Sequence, residues 1–463
     1  MSHREQCFAP FQALMGTGRR NISPPVGIFN RNWGAASTDV SKGNHRPLLA
    51  TVLAIRAAAE SEPLLLVSMD HGFFTTVESE RSFRQQVLDH FKLDESRLLI
   101  CLSHAHATTS LTRDDEHRPG GHLLPAYIDN VIGLVIEAAQ EALDSVVPAT
   151  LTWRYGRCDL ATNRDYVSPD DGRILTGFNP QGTADDTLLV GRVTRDSDQS
   201  ILATIVNYAC HPTILAWENH LVSPDYLGAM REVVERETNH AACLFIQGAS
   251  GDLAPAWQYT GDTSLADLHG RRLGHAVVAT LLGMTPPGTH LAFQGVVESG
   301  AVLAVWKPAP VQSQNEIAAK LVPLSLPLKK LPTLRELDEQ IAQCDNRVMA
   351  ERLLRQRRRL APLEGRTHFD THINIWRLGS ALIVVNPHEA YSKWQLTLRA
   401  TWPDQPVVAG NMVNAALSYL VPEENYSDKL YACWASLPAR GAFEIFMQTS
   451  LEAAHQVMQE SQS

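Results

Sequence analysis

Short aliphatic segments alternate with amphipathic ones along most of the chain, and this alternation limits the fold more than any other feature. The aliphatic segments are rich in β-branched residues and short, as β-strands are. We predict strands at Leu48–Ala59, Leu64–Met69, Arg97–Leu102, Leu151–Arg157, Leu188–Val193, Ile201–Tyr208, Cys243–Gln247, Leu291–Val302, Ile373–Val385 and Val407–Ala409. Apolar residues at helical spacing predict helices at Thr75–Phe91, Pro125–Leu143, Pro224–Thr238, Ser264–Leu282, Leu334–Leu360, His388–Ala400 and Ala439–Gln459. The pattern predicts an α/β fold with one dominant mixed β-sheet flanked by helices.

The domain organisation follows from length and from one unusual segment. The 463 residues are enough to bury a large core, and we expect a single α/β catalytic domain over residues 1–463. Residues 307–365 are spotted with proline and then strongly charged, with RLLRQRRRL near the end. We expect an extended arm followed by a helix or helical hairpin, inserted into the domain. The basic run 351–359 favours a solvated helix face over contact with an anionic partner.

Composition and charge narrow the class of protein. A net charge of −10 gives no sign of the basic face that a nucleic-acid partner requires. The N-terminal MSHREQCFAP lacks the apolar run of a secretory signal, and no stretch reaches the roughly 18 uninterrupted apolar residues typical of a membrane helix. Seven scattered cysteines contain no CxxC pair. We expect a cytoplasmic protein with reduced thiols and no stable membrane insertion, and homo-oligomerisation stays open.

The first candidate site is Ser103-His104-Ala105-His106, which directly follows a buried strand. Two histidines at positions i and i+2 point the same way if the extended geometry continues. Imidazole is a common zinc ligand, and loops after strand ends are where α/β proteins build sites. The alternative is a hydrogen-bonded structural pair.

A second histidine context repeats the first. His211 follows the strand Ile201–Tyr208. Pro212 has no backbone N–H to donate to a β-ladder, so we expect the strand to end there. A single histidine here is more often structural. Because His211 shares the strand-end setting of His104, the pair favours metal ligation.

A glycine-flanked serine follows the strand Cys243–Gln247. Gly248, Ser250 and Gly251 form a GxSG pattern, which lacks the fifth position of the GxSxG nucleophile elbow. Glycine permits positive φ and close approach of a ligand to the backbone. We therefore expect Gly248 and Ser250 to bind substrate, and a nucleophilic Ser250 is the weaker alternative.

A carboxylate and two phenols complete the candidate set. Glu389 follows the strand Ile373–Val385 and is predicted in the first turn of a helix, where the helix dipole also favours a carboxylate for purely structural reasons. Tyr419 and Tyr431 lie in a tyrosine-bearing segment near the C-terminus. Tyrosines in such loops are usually structural.

Taken together, the motifs resemble the catalytic N-terminal domain of the neutral (non-lysosomal) ceramidases. The motifs SHAHATTS, NYACHPTIL, QGASGDLAP, VVNPHEAYSKW and SYLVPEENYSDKLY occur in the order of that family, after an opening GTGRRNISPP. The resemblance spans roughly Gly16 to Tyr431. It implies a neutral-ceramidase-like catalytic domain, here expected without the C-terminal immunoglobulin-like domain that ceramidases carry.

The resemblance also implies a zinc site. In the family, one zinc is bound by the first histidine of the HxH, the histidine before proline, the glutamate and the first tyrosine. The matching residues here are His104, His211, Glu389 and Tyr419.

Further roles carried over from the family concern the substrate. His106 matches the histidine that contacts the reacting amide, and Asn163-Arg164 matches an Asn-Arg dipeptide whose arginine binds substrate. Tyr431 matches a further catalytic tyrosine. Ala254 stands where the family has a hydroxyl residue, so a role for that hydroxyl is lost. With no secretion signal, the expected substrate is a small or soluble amide rather than membrane ceramide.

We therefore expect a zinc-dependent hydrolase that cleaves an amide (N-acyl) bond with metal-activated water. His106 would protonate the departing amine, and Asp70 and Asp225 would orient the ligand imidazoles. Tyr419 or Tyr431 would help to stabilise the oxyanion. The alternatives are an esterase or lactonase using the same site, a non-catalytic binding protein on a ceramidase-like scaffold, and a serine hydrolase acting through Ser250.

Overall fold

The computed structural model describes residues 8–414 and 418–459. Its longer strands are Phe11–Asn21, Leu49–Arg56, Leu64–Met69, Leu98–Leu102, Val147–Arg157, Thr187–Arg195, Ile201–Tyr208, Ala242–Gln247, Thr289–Ser299, Ala301–Pro310, Ile317–Pro327, His368–Leu378, Ala381–Val385 and Val407–Gly410. Its α-helices are Val77–Phe91, Leu124–Asp144, Tyr226–Glu237, Thr263–Leu282, Leu334–Ala342, Arg347–Leu360, Lys393–Thr401, Tyr431–Ala435 and Ala442–Gln459. The predicted α/β fold with a mixed sheet flanked by helices is confirmed.

The main sheet has eight strands. Their order is Ala242–Gln247, Ile201–Tyr208, Thr187–Arg195, Val147–Arg157, Phe11–Asn21, Leu49–Arg56, Leu64–Met69 and Leu98–Leu102. Neighbouring strands are antiparallel except in the outermost pair at each edge, which is parallel. The sheet is buried on both faces: Leu99 and Cys101 face one hydrophobic cluster, while Ile100 faces another. Burial on both faces explains why the strand sequences read as continuous apolar runs.

A second, four-stranded sheet covers the inner face of the main sheet. Its order is Ile317–Pro327, His368–Leu378, Ala381–Val385 and Val407–Gly410. Trp376 and Ile383 from this sheet share a cluster with Leu66 and Ile246 of the main sheet. Helices cover the two outer faces, so the layers run helix, sheet, sheet, helix. The eight-stranded sheet is the dominant mixed sheet that the sequence predicts, and the four-stranded sheet is an addition that it does not predict.

Two predicted strands are hairpins in the structure. The predicted strand Ile373–Val385 turns at Gly379, where Leu378 pairs with Ala381, and the predicted strand Leu291–Val302 turns at Gly300. Both glycines have positive φ, 59° and 71°. Apolar residues continue on both sides of each turn, so hydrophobicity alone does not reveal it, whereas glycine supplies the conformation that the turn requires.

The segment 307–365 is joined to the body by its arginines. Ile317–Pro327 pairs with His368–Leu378 in the second sheet, and the two helices that follow pack against each other. In the second of these helices, Arg355 donates to the carbonyl oxygens of Asn32 and Arg31 at 2.8 and 3.0 Å. The predicted solvated face is wrong for this side chain, because its guanidinium satisfies backbone carbonyls of the body.

Two features bear on the expected class of protein. The helix Gly121–Asp144 is long and apolar enough to cross a membrane by composition alone. Its Val131, Val135 and Ala138 are buried in a cluster with the main sheet, which accounts for that composition.

The six described cysteines are free thiols, and Cys7 lies outside the described residues.

The main sheet curls until its two edge strands approach each other. Ser68 Oγ, on the strand next to one edge, donates to the carbonyl oxygen of Phe245 on the opposite edge strand and accepts from its N–H, both at 2.9 Å. The segment 411–414 joins the edges, because Asn411 N donates to Gln247 O while Leu102 N donates to Met412 O. The carboxyl ends of strands from opposite edges of the sheet therefore meet in one place.

Candidate metal centre

Three side chains from distant segments converge where the sheet edges meet. His104 Nε2 lies 3.0 Å from His211 Nε2 and 3.2 Å from Glu389 Oε2. His211 Nε2 lies 3.1 Å from the same carboxylate oxygen. His104 follows the edge strand Leu98–Leu102, and its backbone has φ of +64°. That conformation is rare for a non-glycine residue and is retained mainly at functional sites.

The far side of each imidazole is fixed by backbone carbonyls. His104 Nδ1 is 3.0 Å from Gly72 O, and His211 Nδ1 is 2.7 Å from Ser250 O. A carbonyl only accepts, so each Nδ1 carries the proton and each Nε2 of a neutral ring presents a lone pair. Burial, with Arg164 and His104 nearby, lowers the pKa of His211 to about 3, which keeps its ring neutral.

This arrangement fits a metal cation. Two imidazole lone pairs and a carboxylate oxygen face one another across 3.0–3.2 Å with no hydrogen between them if the rings are neutral. Such a group is repulsive unless a cation lies among its members. Ligands about 2.0–2.1 Å from a tetrahedral zinc are separated by roughly 3.3 Å, close to these spacings. The donor set therefore matches the chemistry of zinc.

The imidazoles are not oriented by the carboxylates that the sequence suggested. Asp70 instead forms a buried ion pair with Arg231 at 2.6 Å and accepts from Leu49 N. Asp225 accepts from the N–H groups of Leu215 and Tyr226. Both acids are used by the backbone and by a buried arginine, so the prediction that they orient the ligand imidazoles is wrong.

Glu389 lies in a short strand rather than in the predicted helix. Glu389–Ala390 pairs in parallel with Tyr419–Leu420, and the helix begins only at Lys393. Burial raises the pKa of Glu389, but positive charge on the side of His104 and His211, whether a ring proton or a bound cation, outweighs it and holds the pKa well below its usual range. The group is therefore an ionised acceptor. The neighbouring His388 turns the other way and binds Thr371 at 2.9 Å.

Tyr419 and Arg164 lie beside the cluster. Tyr419 is the register partner of Glu389, and the guanidinium of Arg164 lies 5.3 Å from the centre of its ring. Burial, with Glu389 nearby, raises the pKa of Tyr419 well above its usual range, so the phenol stays protonated. Arg164 is buried and donates from Nε to Gly251 O at 3.1 Å. Its charge faces the carboxylate side of the site.

Tyr431 stands at the rim. Its ring centre is 6.0 Å from that of Tyr419, and 42% of the residue is exposed. Arg352 of the helix Arg347–Leu360 lies 5.9 Å from the Tyr431 ring centre. The rim of the site is therefore shared between the body and the arginine-rich helix.

His106 lies beside His104 and His211. One nitrogen from each of the His104, His106 and His211 rings falls within 4.8 Å of the others. Buried His106 Nε2 has no hydrogen-bond partner among the described residues. Burial, together with His104 and His211, lowers the pKa of His106 well below its usual range. The strand geometry does not continue through this motif, yet the rings of His104 and His106 converge, with centres 4.8 Å apart.

An aromatic cluster flanks His106. Trp33 lies 5.3 Å from the His106 ring and contacts Trp217 and Tyr259 at 6.0 and 5.8 Å between ring centres. Phe73 approaches His106 from another side at 6.2 Å. The sequence interpretation did not include these rings, because isolated aromatic residues in loops carry no pattern that distinguishes a site wall from core packing.

The glycine-flanked loop shapes the site through its backbone. Neither Gly248 nor Gly251 has positive φ. A Cβ on Gly248 would lie 2.7 Å from Ala209 Cβ, and one on Gly251 would lie 2.7 Å from Glu389 O. These glycines thus allow close approach of protein segments, where the sequence suggested approach of a ligand. Ser250 contributes its carbonyl to His211, while its hydroxyl accepts from Gln247 Nε2 at 2.7 Å.

Asn163 is tied into its own loop. Its Oδ1 accepts from Asp165 N at 3.1 Å, and its backbone pairs with Leu253. Ala254 lies in the same short ladder, opposite Thr162. These contacts position Arg164 next to Gly251.

Two buried polar residues that the sequence interpretation missed join the loops of the site. Asp252 accepts from both the backbone N–H and the hydroxyl of Ser392 at 2.7 Å, just beyond Glu389. Gln395 Oε1 accepts from Ala249 N at 2.8 Å. Together they fasten the loop after Gln247 to the segment that carries Glu389.

Comparison with known proteins adds information at the level of fold. The sequence matches no protein-family model and no curated protein. A ceramidase complexed with C2 superposes with a TM-score of 0.69 at 15% sequence identity, covering 98% of this chain and 76% of its own. The neutral ceramidase from Pseudomonas aeruginosa superposes with a TM-score of 0.66 at 15% identity, over 97% and 75% of the two chains.

The chain has the fold of the neutral ceramidases. The resemblance inferred from five short motifs is confirmed at this level. Within the neutral-ceramidase fold, the motif residues His104, His211, Glu389 and Tyr419 lie together at one end of the curled main sheet.

Proposed function

We propose that the chain is a zinc-dependent hydrolase that cleaves the amide (N-acyl) bond of a small, soluble substrate. The observation that carries the proposal is the cluster of His104 Nε2, His211 Nε2 and Glu389 Oε2, with both Nδ1 atoms held by carbonyls. The two similar solved structures are named as ceramidases, a name that denotes hydrolysis of the amide bond of ceramide, and this cluster lies in the same fold. At 15% identity, the likeness supports the fold, and the activity is argued from the site.

His104, His211 and Glu389 would hold the metal, with Tyr419 adjacent. A zinc ion so bound supplies Lewis acidity, which polarises a carbonyl and lowers the pKa of water towards neutrality. The two carbonyl contacts to Nδ1 fix the ring tautomers, and outer contacts of this kind strengthen a metal site.

His106 handles the proton in the proposed reaction. Hydrolysis adds water across the C–N bond, so the departing amine must gain a proton that the attacking water loses. His106 Nε2 is buried, unpartnered among the described residues and near both ligand rings. We infer that His106 passes the proton between the two groups and is not itself a metal ligand.

Arg164, Tyr419 and Tyr431 are proposed to donate hydrogen bonds to negative charge on the substrate. The Arg164 guanidinium is buried beside the carboxylate side of the cluster and is held by Gly251 O. Tyr419 is protonated and can donate to an oxyanion. Tyr431 reaches the same region from the exposed rim. The partly buried rings of Trp33, Trp217 and Tyr259 offer a wall for an apolar or planar group.

The geometry weighs against a serine hydrolase. The Ser250 hydroxyl is occupied by Gln247 Nε2, and the nearest histidine contact to Ser250 is to its carbonyl. A nucleophilic serine needs a base within hydrogen-bond reach of its Oγ. The hydrogen bonds of the described residues provide no histidine in that position.

The proposal is tested with the zinc-loaded protein on pairs of N-acyl amides and matched esters. His106→Ala is expected to keep stoichiometric metal but to lose about 10²–10⁴-fold in kcat, whereas His211→Ala loses both. His275→Ala, on an exposed face of the helix Thr263–Leu282, serves as the matched control and should keep both. Turnover of esters or lactones alone would assign the site to that chemistry, and full activity in His211→Ala would refute the site.

A further inference from the structure

A cleft beside the site is walled by positive charge. Five arginines line it: Arg31, Arg118, Arg355, Arg358 and Arg359. Two carboxylates, Asp115 and Glu351, line it as well. Two more carboxylates reach the arginines from outside the lining, Asp39 on Arg31 at 2.5 Å and Asp114 at 3.8 Å from Arg358. Guanidinium groups outnumber carboxylates even when all four acids are counted.

The cleft adjoins His106. Phe73 lines the cleft, and its ring centre lies 6.2 Å from that of His106. Asn32, another lining residue, donates from Nδ2 to the backbone oxygen of His106 at 3.4 Å. Phe73 and Asn32 thus contact both the cleft and His106, so that the cleft is a direct neighbour of the histidine cluster.

The arginines are not all satisfied by the protein. Arg31 Nε and Arg118 Nε are buried donors without hydrogen-bond partners among the described residues, and Arg118 Nε lies 4.0 Å from Asp115 Oδ1, beyond hydrogen-bond distance. Arg359 is exposed; its hydrogen bond is to Ala435 O at 3.4 Å, and it makes no ion pair with a carboxylate in residues 8–414 and 418–459. Buried donors are almost always hydrogen-bonded in native proteins, so unpaired donors in a cleft indicate that a ligand accepts their hydrogen bonds.

Other members of the cluster are structural. Glu351 is contacted by Arg31, Arg118 and Arg355 at 3.1–3.2 Å. Arg358 pairs with Asp115 at 2.9 Å. These pairs hold the helix Arg347–Leu360 against the body, beside Arg31 and Arg118.

We propose that this arginine cleft binds a carboxylate carried by the substrate, several bonds away from the scissile amide. The proposal rests on the proposed hydrolase function and narrows its substrates to acidic amides. Guanidinium suits the role because its planar fork matches a carboxylate. The cleft and the ligand histidines would then hold the two ends of an extended acid.

Equilibrium binding tests the cleft without requiring turnover. Isothermal titration of the zinc-loaded protein compares sodium glutarate, which carries two carboxylates, with sodium pentanoate, which has the same carbon count and one carboxylate. We expect glutarate to bind at least about tenfold more tightly than pentanoate, since one charged bidentate contact is added. Arg359→Gln should remove most of that difference. Arg357→Gln is the matched control, because Arg357 lies on the same helix and pairs with Asp338.

The outcomes separate the two proposals. Equal affinity for glutarate and pentanoate in the wild type, or an unchanged ratio in both Arg359→Gln and Arg118→Gln, overturns the carboxylate cleft. Binding of inorganic phosphate that depends on Arg359, with no preference for glutarate, overturns it in favour of a free-anion site. A glutarate preference that depends on Arg359 in a protein that hydrolyses no amide supports the cleft while the hydrolase function fails. With turnover, the kcat/KM ratio of glutaryl to pentanoyl p-nitroanilide should fall about tenfold in Arg359→Gln and stay unchanged in the control Arg357→Gln.

Discussion

The substitution Gly251→Ala should disturb the candidate metal centre through the backbone that carries Glu389. The Cβ of an alanine there would lie 2.7 Å from Glu389 O, 2.7 Å from Tyr391 Cδ1 and 3.0 Å from the Ala390 carbonyl carbon. Two of these contacts are backbone atoms that cannot rotate away. The φ of Gly251 is not positive, so alanine adds no backbone strain there beyond the clash.

The size of the effect follows from the overlap. Ordinary contact begins at 3.4 Å, so either the loop or the Glu389 strand must move by several tenths of an ångström. Overpacking of this kind costs about 1–3 kcal/mol in the free energy of unfolding. Because the loop carries the Ser250 carbonyl that orients His211, metal affinity should fall about 10–100-fold, as it does when outer contacts of metal ligands are disturbed.

Urea unfolding and zinc titration of Gly251→Ala measure the two quantities, and Gly133→Ala is the matched control. Gly133 lies in the helix Leu124–Asp144 with no atom within 4 Å of an added Cβ. That substitution should stabilise the protein by about 0.5–1 kcal/mol and leave zinc affinity unchanged. If Gly251→Ala retained wild-type stability and zinc affinity, the packing of this loop against Glu389 would be refuted.

Further predictions concern buried charge. Arg231→Met should cost about 3–5 kcal/mol in unfolding free energy because it leaves Asp70 buried without its partner, and adding Asp70→Asn should recover part of that loss in a double-mutant cycle; additive losses would contradict the pairing. Burial raises the pKa of Asp225 to about 7, so the folded protein binds a proton that the unfolded chain releases near pH 4. Stability contributed at this group should therefore fall as pH rises from about 4 to 7, and Asp225→Asn should flatten the pH profile of urea midpoints across that window. An identical profile in the variant would show that Asp225 titrates normally.

Much of the candidate site could be predicted from the sequence because its histidines and glutamate follow the ends of strands. His104 and His211 each follow an aliphatic strand, and Glu389 follows a third. Strand recognition depends on local composition, and so the C-terminal ends of those three strands agree with the prediction, although the predicted strand Ile373–Val385 is a hairpin. Their convergence was available only through the family resemblance, since Leu98–Leu102 lies at one edge of the main sheet, Ile201–Tyr208 lies next to the other edge, and Ala381–Val385 belongs to the second sheet.

What the sequence could not supply is long-range pairing. Asp70 was expected beside an imidazole, but a buried arginine 161 positions away along the chain takes it. The imidazoles are instead fixed by the carbonyls of Gly72 and Ser250. Because every residue has a backbone carbonyl, the sequence does not show which of them accepts a hydrogen bond. The hairpin turn at Gly379 was missed because the apolar pattern runs through it.

Anomalous diffraction at the zinc edge, from crystals of the zinc-loaded protein, tests the metal centre most directly. A single full-occupancy peak about 2.0–2.2 Å from His104 Nε2, His211 Nε2 and a Glu389 oxygen is the expected result. Stoichiometric zinc located elsewhere, or no peak among these three side chains in a protein that hydrolyses amides, would contradict the account.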